Sequence, residues 1–494
     1  MARKSREEFP ETFVSTTETT KLASKAVRAG KLRKLASRLY TRDLTGAPEA
    51  ITRRNLWPIV AGYFPDALIA DRTALEGAPS KDGSVLLVSQ KAQSDVALPG
   101  FTLRPRRGVP AQPTDIPFMG VLRLSSPARA LLDNFAPSRS RGLVARTFSR
   151  KEIETYLETL LRRSGEDELN RLRDEARRLA PALGREKEFT ALNQTIGALL
   201  NTQPDNLQTP VAKARRRGMP FDPTRVELFE ALRAELHRTP PQTRLAASSD
   251  GTTLPFFEAY FSNFIEGTEF PVDQAAAIVF ENRIPSARPQ DAHDILGTYR
   301  IVADQAEMSR TPETLAEFER LLKHRHARIM EARPDKGPGQ YKAEANRAGA
   351  TIFVAPDLAR GTLDQGFKVY RSLLTPFQRA VFMMFLVAEV HPFADGNGRI
   401  ARIMMNAELV AAGEQRIVIP TLYRNNYLSA LKAATNRTSP EPLVRMLDFA
   451  QRFTLAVDWT DFQRAERDLR AAHAFMDSNE AEEQGIRLRI PDSR

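Results

Sequence analysis

The segment HPFADGNGRIAR, residues 391–402, gathers within twelve positions the residue types that phosphoryl chemistry requires. His391 can take a proton from an attacking hydroxyl near neutral pH. Asp395 is a hard oxygen ligand suited to Mg²⁺, which favours one carboxylate plus substrate phosphates over a full protein cage. Gly396 and Gly398 bracket Asn397 in a tight turn where backbone amides can converge, and a helix beginning near Arg399 presents its positive end to the same point. Arg399 and Arg402, three apart, project from one helical face and can reach successive phosphates as forked donors.

The preceding stretch FQRAVFMMFLVAEV is apolar almost all round, so it reads as a buried helix that starts at Thr375–Pro376 and holds His391 rigidly at its end. The segment resembles the signature HPFx[DE]GNGRxxR of Fic proteins at every defined position. That resemblance implies a helical fold with a β-hairpin flap, and transfer of AMP from ATP to a Ser, Thr or Tyr hydroxyl of a protein. By the family's pattern His391 is the general base and Asp395 holds Mg²⁺. Gly396, Asn397 and Gly398 form the α-phosphate anion hole, Arg399 and Arg402 hold the β- and γ-phosphates, and Phe393 packs beneath the loop.

A second segment, SNFIEGT at 262–268, fits the family's inhibitory motif [ST]xxxE[GN] through Ser262, Glu266 and Gly267. A carboxylate aimed at Arg402 would form a charge-assisted pair in the place of the γ-phosphate and force ATP into an unreactive pose. The alternative is a solvated glutamate before a helix-ending glycine. Within 334–357, Gly and Pro at both ends and β-branched residues around Phe353 predict the hairpin flap. Ile352 and Phe353 are either the clamp for a target strand, which the family docks by strand addition, or core residues of the hairpin. NNYLSALKAATN resembles the family's adenine-side helix, making Asn436 the implied adenine contact and Tyr427 either contact or packing. The other histidines, His237, His293, His324, His326 and His473, stand alone in helical patterns and none reads as a metal ligand.

The elements that must position these residues occupy a chain of 494 residues, long enough for two or three domains. Apolar content of 42% and charged content of 27% match soluble globular proteins, and the absence of cysteine excludes disulfides and thiolate chemistry. The longest apolar run, Val381 to Val390, is far short of a membrane span, and the N-terminus lacks a secretory apolar core. A cytoplasmic protein is expected, and a homo-oligomer is compatible with the sequence. Residues 1–150 carry 25 Lys plus Arg against 13 Asp plus Glu, 25 − 13 = +12, so this third holds all the excess of a net charge of +11.

The fold class expected is mainly α: a helical Fic domain preceded by an α+β, winged-helix-like region. Residues 1–145 form that region, 146–245 a helical connector and linker, 246–456 the Fic domain, and 457–494 a helix with a loose tail. At 21–44 the pattern reads as a helix, a turn at Gly30 and one basic strand with Lys31, Arg33, Lys34 and Arg38. With LRLSSPARALLDNF at 122–135 this resembles AbiEi-like antitoxins, which implies DNA contact through residues 20–110. Ser149 and Glu152 have capping-box spacing, KARRR at 213–217 reads as a solvated loop, and Thr239 to Thr253 reads as a linker. Two other readings remain: altered chemistry on the same site, such as AMP removal or transfer of another group, and a DNA-binding regulator whose Fic domain only senses nucleotide.

Overall fold

A computed structural model of the chain describes residues 9–91, 94–138, 144–204, 206–238, 243–246, 251, 253–349 and 351–491. The described residues divide into two compact units, Met1–Arg216 and Arg217–Arg494.

The first unit is α+β. It begins with β1 (Thr12–Val14), α1 (Thr20–Arg28), β2 (Arg33–Ala36) and β3 (Leu39–Thr41), joined in a sheet of order β1-β3-β2. The single basic strand expected after Gly30 is therefore a hairpin. Arg38 takes a left-handed φ of 63° and donates from Nε to Ser15 O at 3.0 Å, which turns the chain between the strands. Among described residues 9–41 only α1 precedes this hairpin, so the full helical set of a winged helix is not assembled there. Next come α2 (Pro48–Arg54), α3 (Leu56–Tyr63), β4 (Leu68–Ile69), α4 (Asp71–Glu76), β5 (Ser84–Val88), β6 (Val96–Leu98), β7 (Phe101–Arg106), β8 (Ile116–Pro117), β9 (Arg123–Leu124) and α5 (Pro127–Phe135). The strands form a mixed sheet of order β6-β7-β5-β4-β9-β8, whose Val85, Leu87 and Leu103 are fully buried.

Helices α6 (Arg150–Leu183), α7 (Glu186–Leu199) and α8 (Pro210–Arg216) complete the unit. Ser149 and Glu152 make the expected capping box, and Gly165, at φ 80°, breaks α6 into two stretches. The basic run expected as a loop at 213–217 instead ends α8. Arg215 donates to Glu158 of α6 at 3.0 Å, and that partner draws the run into a helix.

The second unit contains α9 (Pro223–Arg238), α10 (Thr253–Ile265), α11 (Val272–Glu281), α12 (Pro289–Val302), α13 (Gln305–Met308), α14 (Leu315–Ile329), the hairpin β10 (Arg347–Ala348) and β11 (Thr351–Ile352), α15 (Pro356–Tyr370), α16 (Pro376–Val390), α17 (Asn397–Ala411), α18 (Arg424–Arg437), α19 (Glu441–Ala456), α20 (Phe462–Ala471) and α21 (Ser478–Gln484). The expected mainly α architecture holds. Helix α16 is the axis of the core, with Phe382, Met383, Met384, Leu386 and Val387 fully buried. It starts at a Thr375–Gln378 capping box with Pro376 in the first helical position, as the sequence signalled.

Two expectations change here. The described part of the predicted linker is pinned: Arg244 donates to Gln451 at 2.8 Å and Asp448 at 2.7 Å, and Leu245 bridges to Glu414. The C-terminal stretch is not loose either, because α20 and α21 close over an aromatic face of α10. Phe475 lies 5.3 Å from Phe261 and Phe462 lies 5.2 Å from Phe257, ring centre to ring centre, and Trp459 is buried beside them. The four buried aromatic rings of α10, Phe256, Phe257, Tyr260 and Phe261, need a cover, and this segment supplies it.

Candidate active site

Helix α16 delivers His391 into the left-handed region, at φ 52°. That conformation turns the chain sharply out of the buried helix. Nδ1 lies 3.2 Å from Ala388 O, the last carbonyl region of the helix, so it carries the proton and leaves Nε2 as a lone pair. Burial holds the imidazole down at about pKa 4, so it is neutral at physiological pH. The Phe353 ring, just after β11, stacks on it at 3.7 Å and 7°.

The following turn is fastened from inside. Asn397 accepts from the Phe393 N–H and donates to Phe393 O, both at 2.9 Å, and Phe393 is completely buried. Gly396 sits at φ 72°, where any other residue is strained, and a Cβ there would fall 2.8 Å from Met330 Sδ and push that side chain aside. Helix α17 begins at Asn397, directing its first free amides to the mouth of the turn. Asp395 Oδ1 accepts from the Gly396 N–H at 2.6 Å and remains half-buried. Among the described residues no group of three or more His, Cys, Asp or Glu could hold a metal. A single carboxylate beside a turn of converging amides fits Mg²⁺, whose remaining ligands would be phosphates and water.

The two arginines differ in their engagements. Arg402 is buried, donating from Nε to Ser262 Oγ at 2.9 Å and from Nη2 to Ser262 O at 2.8 Å and Glu266 Oε1 at 2.7 Å. Arg399, also buried, pairs with Asp294 of α12 at 2.9 Å and donates to Met330 Sδ at 3.2 Å. Glu266 follows the last residue of α10, Gly267 turns away from it at φ 87°, and its carboxylate lies across Gly398: a Cβ on Gly398 would meet Oε1 at 2.0 Å. The carboxylate thus covers the amide turn and engages Arg402 together.

Ile352 is 68% exposed on the hairpin whereas Phe353 turns inward onto His391. Asn436 is exposed near the end of α18, and it is the preceding Thr435 that reaches inward, to Glu389. Tyr427 is fully buried with Arg402 5.9 Å above its ring, a packing position.

Sequence reasoning missed His326. Its ring stacks on Phe393 at 3.6 Å and 3°, Nδ1 accepts from the Gly339 N–H at 2.9 Å, and Nε2 therefore donates to Asp395 O at 3.0 Å. His324, two residues earlier, is exposed, as the spacing required. Burial lowers His326 to about pKa 4 as well. Both histidines stay neutral in the folded chain while the unfolded chain protonates them near 6.5, so stability is full above pH 6.5 and declines as pH falls towards 4. Each group contributes on the order of 3 kcal/mol to that loss. Urea unfolding at pH 7 and pH 4.5 measures it, and His326→Gln should remove about half of the part these two histidines supply.

Residues 317–409 match the Fic/DOC family. The protein adenylyltransferase Fic of Drosophila willistoni is 30% identical over 206 residues, 38% of this chain and 40% of that protein. The corresponding Drosophila yakuba protein is 27% identical over 201 residues with the same shares. The chain thus spans about 40% of the length of these curated relatives. Among solved structures, Fic-1 of C. elegans is similar at 19% identity and a TM-score of 0.37, covering 65% of this chain and 93% of that one. IbpAFic2 in complex with adenylylated Cdc42 is similar at 15% identity and a TM-score of 0.29, covering 61% and 92%.

Proposed function

Starting from a chain that carries a Fic domain, we propose that it transfers AMP from ATP to a Ser, Thr or Tyr hydroxyl of a protein, and that Glu266 restrains the reaction. The observation that carries this reading is the convergence of three features: a neutral His391 with a free Nε2, an amide turn at 396–398, and Arg402 held by Ser262 and Glu266.

In this reading His391 Nε2 accepts the proton of the target hydroxyl as its oxygen bonds to the α-phosphorus. The bond from that phosphorus to the bridging oxygen breaks and pyrophosphate leaves. The amides of Asn397 and Gly398, in a turn oriented by the Asn397–Phe393 pair, would stabilise charge developing on the α-phosphate, joined by that of Gly396 once it leaves Asp395 Oδ1. Arg402 is suited to the γ-phosphate. Arg399 is set back by Asp294, so its guanidinium is oriented before nucleotide arrives. Asp395 would hold Mg²⁺, which neutralises phosphate charge when bound. Transfer of AMP is favoured over phosphate transfer because an intact Arg402 suits a triphosphate held in the ordinary orientation.

Two labels separate the chemistries. With Glu266→Gly protein, Mg²⁺ and cell lysate, label from α-labelled ATP should enter protein while γ-label is released as pyrophosphate. Protein-bound γ-label would instead mean phosphate transfer. No bound label, with nucleotide still binding, would favour the nucleotide-sensing reading.

A second reading concerns the first unit. Lys21, Lys25, Arg28, Lys31, Lys34 and Arg38 are all exposed on α1 and the β2–β3 hairpin, which favours contact with a polyanion such as DNA. Binding of a mixed duplex that falls steeply with salt, and is lost in Lys31→Glu/Lys34→Glu, is the expected result.

A further inference from the structure

We propose that Arg225, on the first turn of α9 and outside the matched span 317–409, is a positioning residue that fixes the β10–β11 hairpin over His391. This rests on the AMP-transfer reading for its functional meaning.

The hairpin cannot hold itself. Its two strands pair only as Arg347↔Ile352 and Ala348↔Thr351, and a two-stranded ribbon of that length is marginal in water. The Phe353 N–H donates to Asn346 O at 3.2 Å, which makes 346 and 353 a hydrogen-bonded pair and 347 and 352 a non-bonded one. The carbonyl of Ile352 therefore points away from β10, along the free edge of β11.

One guanidinium bridges that edge to the core. Arg225 Nη2 donates to Ile352 O at 2.5 Å, and Nη1 donates to Glu389 Oε1. Glu389 is 3% exposed, lies in α16 two residues before His391, and also accepts from Thr435 Oγ1 at 2.6 Å. Arg225 thus ties the free edge of β11 to the helix that carries His391, while Asn346 Nδ2, at the base of β10, donates to Phe393 O at 2.9 Å. Phe353, the next residue after Ile352, then lies flat on the imidazole at 3.7 Å.

The forked geometry is what the position demands. A lysine could keep the charge against Glu389 but has no planar fork to serve both acceptors at fixed separation. A carbonyl oxygen has two lone pairs, so Arg225 leaves one free for the N–H of an incoming strand. Arg225 would hold the docking edge in register without blocking it.

Three full-length variants test this: Arg225→Ala, Arg225→Lys, and Arg233→Ala as a control at a half-buried position on the same helix, away from the hairpin bonds. Trypsin cleavage after Arg347, exposed in β10, reports hairpin opening. Loss of one charge-assisted hydrogen bond predicts about 10-fold faster cleavage in both Arg225 variants and none in the control. The His391 ring protons, assigned by their loss in His391→Ala, should also lose the upfield shift that the stacked Phe353 ring imposes. Arg225→Lys keeps a charge beside Glu389, so it guards against simple misfolding. Wild-type cleavage and an unchanged His391 shift in Arg225→Lys would overturn the assignment, even where Glu266→Gly takes up AMP. Faster cleavage in a chain that takes up no label would instead sink the AMP-transfer reading and leave the anchor standing.

Discussion

Glu266→Gly should raise incorporation of α-labelled AMP by on the order of 100-fold over the unaltered chain. The carboxylate lies on Gly398 and holds an Arg402 donor at 2.7 Å, so it contests both the amide turn and the guanidinium suited to the terminal phosphate. A triphosphate arriving beside it must bind displaced, and displacement of about 1 Å from the productive pose costs roughly 100-fold in rate. Glu266→Gln keeps the bulk over Gly398 while removing the charge, and should give an intermediate rise.

Stability follows a separate logic. Glu266 adjoins the C-terminal end of α10, where the helix macrodipole disfavours a carboxylate. Its partner Arg402 is buried, however, and removing the carboxylate leaves that charge with Ser262 and the Tyr427 ring but without an anion. Glu266→Gly should therefore melt lower without nucleotide and gain more from added ATP than the unaltered chain, because the phosphates replace the missing anion. Thermal melts with and without Mg-ATP measure both. An equal gain in the two proteins would argue that Arg402 does not meet the nucleotide.

What could be read from the sequence was what lies close together in it. The 391–402 turn is built by its own residues, with Asn397 bonded to Phe393 four positions away, so its types and spacing carried the chemistry. Ser262 and Glu266 are one helical turn apart, and a turn is enough to bring both to Arg402. His326, Asp294 and Arg225 support the same turn from other helices, 69, 105 and 164 residues distant from Asp395, Arg399 and Glu389 respectively. No local pattern marks such partners, because in sequence each is one polar residue on an amphipathic helix. The hairpin was placed within a broad window, 334–357, but its paired residues number only 347–348 and 351–352, too few for an alternating pattern to define. In the first unit the basic strand became two because a left-handed Arg38, unlike a glycine, carries no sequence signal.

The second large effect is expected at His391. In the Glu266→Gly background, His391→Ala should lower AMP incorporation by about 10²- to 10⁴-fold, the range of a positioned general base. Nδ1 is committed to Ala388 O and Nε2 alone is free, so one nitrogen carries the whole of the proton transfer. The pH profile adds a check that loss of activity alone does not provide. The base must be neutral to act, and burial places its titration near pH 4. Incorporation in Glu266→Gly should then stay level on the acid side from pH 8 down to about 5.5 and fall only as pH approaches 4, where an exposed histidine would already have lost half its activity at 6.5. A midpoint near 6.5 would mean that the imidazole is solvated in the working enzyme, and that the Phe353 stack opens before the target hydroxyl binds.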